Sequence, residues 1–222
     1  MKKIRPFIIL FLILGLPFVV YLFMKGFSVQ HYKPIKILSP KYANPDGSLD
    51  SLYKTVGDFS FINQNGETIT RDMYNDKIWV ADVFFTTCPG ICPKLSNGLN
   101  TIQDYFKDDP EVMFLSISVD PETDSVPNLR LYADQYEAID GKWNMVTGEK
   151  EKLYKFAHEE FFFSATEDEN EEIKFVHDNT LRLVDKEGRF RGMYFDGTNQ
   201  FEVDSVISHI KLLKLEYAEE KR

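Results

Sequence analysis

The chain has 222 residues, 26 Lys and Arg against 35 Asp and Glu, and a formal net charge of −9. That acidic balance excludes a basic nucleic-acid surface. With 43% apolar and 14% aromatic residues the chain is not disordered as a whole, and its two cysteines are too few for a multi-disulfide scaffold or a four-cysteine zinc site.

The chain opens with Lys2, Lys3 and Arg5, and then runs from Pro6 to Met24 without a charge. A membrane-spanning helix needs roughly 20 apolar residues, and basic residues hold the flank they occupy in the cytoplasm. Residues 1–5 read as a cytoplasmic N-terminus and 6–24 as a single transmembrane anchor, with everything beyond on the extracytoplasmic side. A cleaved signal peptide would have a shorter apolar region and a small-residue cleavage site. Here Tyr21-Leu22-Phe23-Met24 closes the run instead. Residues 25–54, with Pro34, Pro40 and Pro45 and the Asn44–Gly47 turn cluster, read as a linker.

From residue 55 to 217 the pattern is that of a folded domain, followed by a tail over 218–222. Residues 58–62 and 68–70 flank Asn65-Gly66 and predict a β-hairpin. Ile78–Phe85 reads as a buried strand. Leu95, Leu99, Ile102 and Phe106 recur at helical spacing from Pro93 onward. Val112–Val119 predicts a second strand and Asn128–Tyr136 a helix. A short strand at 143–146 and a helix from Glu149 to about His158 follow. Two strands, 181–184 and 190–194, flank the turn Asp185–Gly188, and Val203–Leu215 closes the domain as an amphipathic helix. This order predicts an α/β domain, a mixed sheet with flanking helices. It is the order of a thioredoxin-like fold with an extra N-terminal hairpin. The acidic run 167–172 reads as a solvated loop.

Cys88 and Cys92 lie in TTCPGICP, between a strand and a helix, where α/β folds place ligand and redox sites. Pro93 suits the first helical position. Cys92 would then feel the positive end of the helix, which lowers a thiol pKa. The spacing permits a disulfide, and it equally permits both sulfurs to clasp one soft metal ion, with Cu(I) favoured by thiolates. A structural disulfide closing so short a loop would constrain little chain entropy. A metal held by two Cys calls for a third donor, and His is the commonest ligand. His31, His158, His177 and His209 supply the imidazoles of the chain. Asp82 falls inside the first buried strand, where it would face outward or serve the redox site locally. Trp79, Trp143 and Phe161–Phe163 read as core or loop packing, the Phe run also as an exposed docking patch.

TTCPGICP after a VFF strand, SVDPETD at 118–124, and His177 eleven residues before Gly188 of LVDKEG together resemble the Sco/SenC family. The resemblance covers about residues 55–215 and the single anchor. It implies a membrane-anchored, thioredoxin-like copper protein that delivers copper to, or matures, the dinuclear copper centre of cytochrome c oxidase. It further implies that Cys88 and Cys92 are the two copper thiolates and a redox-active pair, and that His177 is the imidazole ligand of Cu(I) and of Cu(II). The implied partners are the copper-accepting oxidase subunit and another copper chaperone or a thiol reductase. Asp120-Pro121 and Asp124 match the family's D-P-x-x-D stretch and read as a structural turn. Position 90 is Gly, where the family more often has Asp.

The alternative function is a membrane-tethered thiol–disulfide oxidoreductase that keeps a partner's copper-ligand cysteines reduced. Thioredoxin-type oxidoreductases share a cis-proline facing their cysteines, and this chain has no proline after Pro127. A peroxiredoxin would have Thr at the position of Phe85. Copper carriage with redox competence is therefore the expected function.

Overall fold

In the computed structural model the described residues are 11–27, 34–43, 49–163, 166–167, 175–176, 178–192 and 194–220. They fall into two compact units, Met1–Lys33 and Pro34–Arg222. In the first, a π-helical turn, Phe11–Gly15, runs into helix α1, Leu16–Phe27. The described stretch spans about 25 Å at 1.5 Å per residue, short of a hydrocarbon core of about 30 Å. Among the described residues no helix is long and apolar enough to cross a membrane. The transmembrane helix expected over 6–24 is thus not found, and residues 6–10 of that span lie outside the described residues.

The second unit is built on a seven-stranded sheet. Strands β1 (Lys41–Ala43) and β2 (Leu49–Tyr53) form a separate antiparallel pair. The main sheet contains β3 (Ser60–Asn63), β4 (Thr68–Thr70), β5 (Ile78–Phe84), β6 (Val112–Ser118), β7 (Trp143–Thr147), β10 (Thr180–Val184) and β11 (Phe195–Asp196). Their order across the sheet is β11-β10-β5-β6-β7-β3-β4. Strands β5, β6 and β7 are parallel neighbours, and the outer pairings are antiparallel. The short strands β8 (Thr166–Glu167) and β9 (Phe175–Val176) pair antiparallel with each other. The helices are α2 (Ile91–Tyr105), α3 (Val126–Gln135), α4 (Lys150–Lys155) and α5 (Gln200–Glu220).

The expected mixed sheet with flanking helices is found. Every residue of β5, β6 and β7 is buried, which is why these strands read as mostly apolar, with only scattered polar residues, rather than alternating. Two expectations shift. The second strand of the last hairpin lies at Phe195–Asp196, while Phe190 contributes an isolated bridge to Val184. Helix α4 continues into a π-helical turn, Phe156–Glu160.

The segment read as a linker over 25–54 contributes to the domain from Pro34 onward. Gly192 donates its N–H to the Lys36 carbonyl at 2.8 Å, Leu38 to that of Phe190 at 2.8 Å, and Arg191 its guanidinium to that of Ile35 at 2.9 Å. Prolines here remove donors but leave these partners in place.

Helix α2 approaches the far end of the sheet closely. A Cβ at Gly98 would lie 2.3 Å from the Gly197 carbonyl oxygen, so only glycine lets the helix seat there. At the opposite end of the strands Glu111 receives Lys186 Nζ at 2.5 Å and Lys214 Nζ at 3.1 Å. The Lys186 contact above all holds its carboxyl at about 2. A depressed carboxyl stabilises the fold above its ordinary pKa, and that contribution is lost as the pH falls through the folded value. Between pH 5 and 2 the native chain should therefore lose more stability than a Glu111→Gln variant in parallel melts. Salt should shrink the difference, since Glu111 is partly exposed. Parallel curves would remove the pair from the acid response.

Candidate metal centre

The two cysteines sit where β5 ends and α2 begins. Cys88 lies in the connecting loop and donates its N–H to the Phe85 carbonyl at 3.2 Å. Cys92 is the second residue of α2, fully buried, and its N–H points to the Cys88 sulfur at 3.5 Å. No disulfide joins the two buried cysteines, so the pair is a dithiol. Cys88 is 8% exposed and forms the outer sulfur. Pro93 takes the third helical position rather than the first, where its missing N–H is still one that an α-helix cannot satisfy internally.

The expected lowering of the Cys92 thiol by the helix terminus does not hold. The adjoining Cys88 sulfur, then burial, push that thiol well above its usual range, and the Asp82 carboxylate adds to the push. A helix terminus contributes about 0.3–1 kcal/mol, less than one pKa unit, and is outweighed by a fully buried position beside a second sulfur.

Asp82 is not outward-facing. It is fully buried, and the register of β5 with β6 sets Ser116 opposite it. The Ser116 hydroxyl donates to Asp82, and Trp143 Nε1 donates to the Ser116 oxygen at 2.8 Å. That chain of donors serves one oxygen, Oδ1, of the buried carboxylate.

Asp124 holds the cysteine loop from the other side. It is fully buried and accepts the Thr86 N–H at 3.0 Å, the Thr86 hydroxyl at 2.5 Å and the Ser118 hydroxyl at 2.5 Å. Burial pushes its carboxyl up while these donors pull it down. The Asp120–Asp124 stretch is a turn, as the sequence suggested, since Asp124 donates its N–H to the Asp120 carbonyl at 2.8 Å. It also buttresses the strand end two residues before Cys88, a role legible only once β5 and β6 are adjacent.

Three residues that sequence reasoning missed complete the wall. Ser96 and Tyr132 share a hydrogen bond of 2.9 Å, and the Tyr132 and Tyr136 rings lie 4.6 Å apart. Burial pushes both phenols up, and charge on Cys92 would push them further. The helical spacing of Tyr132 and Tyr136 marks them as one face of α3 but does not say which thiols that face meets.

His177 lies outside the described residues. Its neighbours do not: Val176 ends β9, and Asp178 accepts the Thr180 N–H at 3.0 Å and Arg182 Nη2 at 2.9 Å. Among the described residues no group of three or more His, Cys, Asp or Glu is gathered in a metal-binding cluster. His158 is exposed, His209 packs on the Phe195 ring, and His31 lies outside the described residues. Trp79 and Trp143 are core residues, as are Phe161 and Phe163, so a docking patch of all three Phe residues is not formed. A Cβ at Gly90 would meet nothing within 4 Å, so this loop accommodates the Asp more usual in the family.

A parallel β5–β6–β7 centre, antiparallel flanks and a dithiol at the first turn of the helix after β5 define a thioredoxin-like dithiol protein. The SCO1/SenC family model matches residues 48–212, and the chain belongs to that family. The SCO1 protein homolog of Bacillus subtilis is 29% identical over 164 residues, covering 73% of this chain and 84% of that protein. The solved structure of BsSco, described as a Sco-family cytochrome c oxidase assembly protein with a disulfide switch, superposes with a TM-score of 0.65. It is 26% identical over 82% of this chain and 98% of its own. Arabidopsis thaliana ScoI, solved with copper bound, gives a TM-score of 0.57 at 26% identity over 71% of this chain and 99% of its own.

Proposed function

We propose that this protein carries copper for the assembly of the dinuclear copper centre of cytochrome c oxidase, binding it through Cys88, Cys92 and His177. The observation that carries this reading is the buried dithiol, with Cys92 N–H directed at the Cys88 sulfur. Two soft sulfurs in a site shielded from water suit Cu(I), and an imidazole completes a three-coordinate set. The copper-bound Arabidopsis relative supports the choice of cargo.

Each thiol gives up its proton as it takes the metal, so loading releases protons and strengthens with pH. Cys92 is the deeper anchor and Cys88, the less deeply buried of the two, the sulfur released first. An incoming thiol of the recipient loses its proton to Cys88 as its sulfur replaces Cys88 on the copper, and the remaining ligands follow. Loading requires the reduced pair, so a Cys88–Cys92 disulfide would be an unloaded state. The uncharged run Pro6–Met24 behind Lys2, Lys3 and Arg5 supports tethering to a membrane with the domain on the extracytoplasmic side. Release of the chain from membranes by alkaline extraction would remove that part of the reading.

The test is a titration of the reduced, oxygen-free full chain in mild detergent with Cu(I) against a competing chelator. One tightly held Cu(I) per chain is expected, weakened about tenfold or more in His177→Ala, roughly 1.4 kcal/mol. No competitive binding would turn the assignment to thiol–disulfide exchange. Unchanged affinity in His177→Ala would remove the imidazole from the ligand set.

A further inference from the structure

Helix α2 starts without a conventional cap. Its N-cap residue is Gly90, which has no side chain, and its first turn holds no acidic residue. A helix cannot satisfy the N–H groups of its first turn internally. Here Pro93, at the third helical position, has no N–H to offer. The N–H at the second position, that of Cys92, is met by a sulfur, Cys88 Sγ at 3.5 Å.

A short polar side chain at an N-cap ordinarily takes the second or third N–H of its helix. With Pro93 third, such a side chain at position 90 would have only the Cys92 N–H within its range. There is room for one, since a Cβ at Gly90 would meet nothing within 4 Å. The bare Gly90 therefore leaves the Cys92 N–H to Cys88, the less deeply buried sulfur. The Cys92 sulfur has its own backbone partner at Phe85, which position 90 does not touch. Electron density shared with an N–H is less available to a metal, so a donor aimed at a ligand sulfur loosens its hold.

We propose that Gly90 is a positioning residue of the dithiol: by offering no cap of its own it reserves the Cys92 N–H for Cys88 and so eases release of copper from that sulfur. The release half of the inference rests on the copper-carrying reading, and the hydrogen-bond half does not. In the exchange the bond from copper to Cys88 breaks and the incoming thiol's sulfur bonds the metal. That thiol's proton passes to Cys88, and the copper stays Cu(I).

The test compares Gly90→Asn and Gly90→Ala with the native full chain in mild detergent, each with and without Cys88→Ala. Asparagine brings a neutral acceptor to the N-cap, and alanine brings only a Cβ. In the metal-free, reduced chains hydrogen exchange at the Cys92 amide is followed by NMR. Cys88→Ala should speed that exchange about three- to tenfold in the native and Gly90→Ala chains, the worth of one hydrogen bond, and leave it unchanged beside Gly90→Asn. With Cys88 present, Cu(I) release to a thiol chelator should be about tenfold slower in Gly90→Asn and unchanged in Gly90→Ala. An equal effect of Cys88→Ala in all three backgrounds would show that position 90 does not assign the N–H. Release rates alike in the asparagine and alanine variants would overturn the release role. No Cu(I) binding by the native chain would overturn the copper-carrying reading and the release role together, while the amide comparison would still decide the hydrogen bond.

Discussion

Cys88→Ala and Cys92→Ala should each lower Cu(I) affinity by at least about a thousandfold, or roughly 4 kcal/mol at 1.4 kcal/mol per tenfold. Either change leaves one sulfur and at most one imidazole. Cu(I) draws most of its binding energy from soft thiolates, so the residual site should not compete with a thiol-based chelator. The fold should survive. Cysteine behaves as a small hydrophobe, and trimming a buried one to alanine costs on the order of 1 kcal/mol. Affinity by competition, alongside thermal melts, separates the two effects. Retention of tight Cu(I) by either variant would show that the dithiol is not the copper site. Because Cys92 is fully buried and Cys88 is not, Cys88 should also be the faster of the two to react with a small alkylating reagent.

Asp124→Ala should destabilise the domain by about 3 kcal/mol, the loss expected when buried donors are stranded. Three donors converge on this one carboxylate, and two of them come from Thr86, two residues before Cys88. The corresponding fall in melting temperature is about 6–12 °C for a domain of this size. Asp124→Asn is the informative contrast. Its amide oxygen can still accept both Thr86 donors, and its NH2 can donate to the Ser118 hydroxyl, which has two lone pairs. It also removes a buried carboxyl whose burial opposes ionisation. The asparagine variant should therefore melt within a few degrees of the native chain, whereas the alanine variant should both melt early and hold copper less tightly. Equal melting of all three would show that the cysteine loop does not depend on this anchor.

Much of this was open to reading before any coordinates. The patterns placed the central strands and helices to within a few residues, because β5 and β6 are largely apolar and rich in branched and aromatic residues and α2 shows a 3.6-residue stripe. The TTCPGICP motif located the dithiol at a strand-to-helix junction, and the combined motifs indicated the family. These are local properties, written in spacing and composition.

Other features depend on which segments become neighbours. The thiol of Cys92 looked acidic from its helix position, yet burial beside Cys88 and near Asp82 reverses the sign. Asp82 looked anomalous until the parallel register with β6 supplied Ser116. The prolines of 34–54 suggested a bare linker, but long-range bonds to residues 190–192 tie its later part to the domain. The D-P-x-x-D motif marks Asp124 as part of a turn but not as a buttress, since that role depends on Thr86 and Ser118 being brought beside it. The sequence by itself determined the central strands and helices, the family and the place of the two cysteines, since local spacing and residue type suffice for these. Only the tertiary structure decided the upward push on the Cys92 thiol and the buttress at Asp124, because each is set by desolvation and by contacts between segments brought together in the fold.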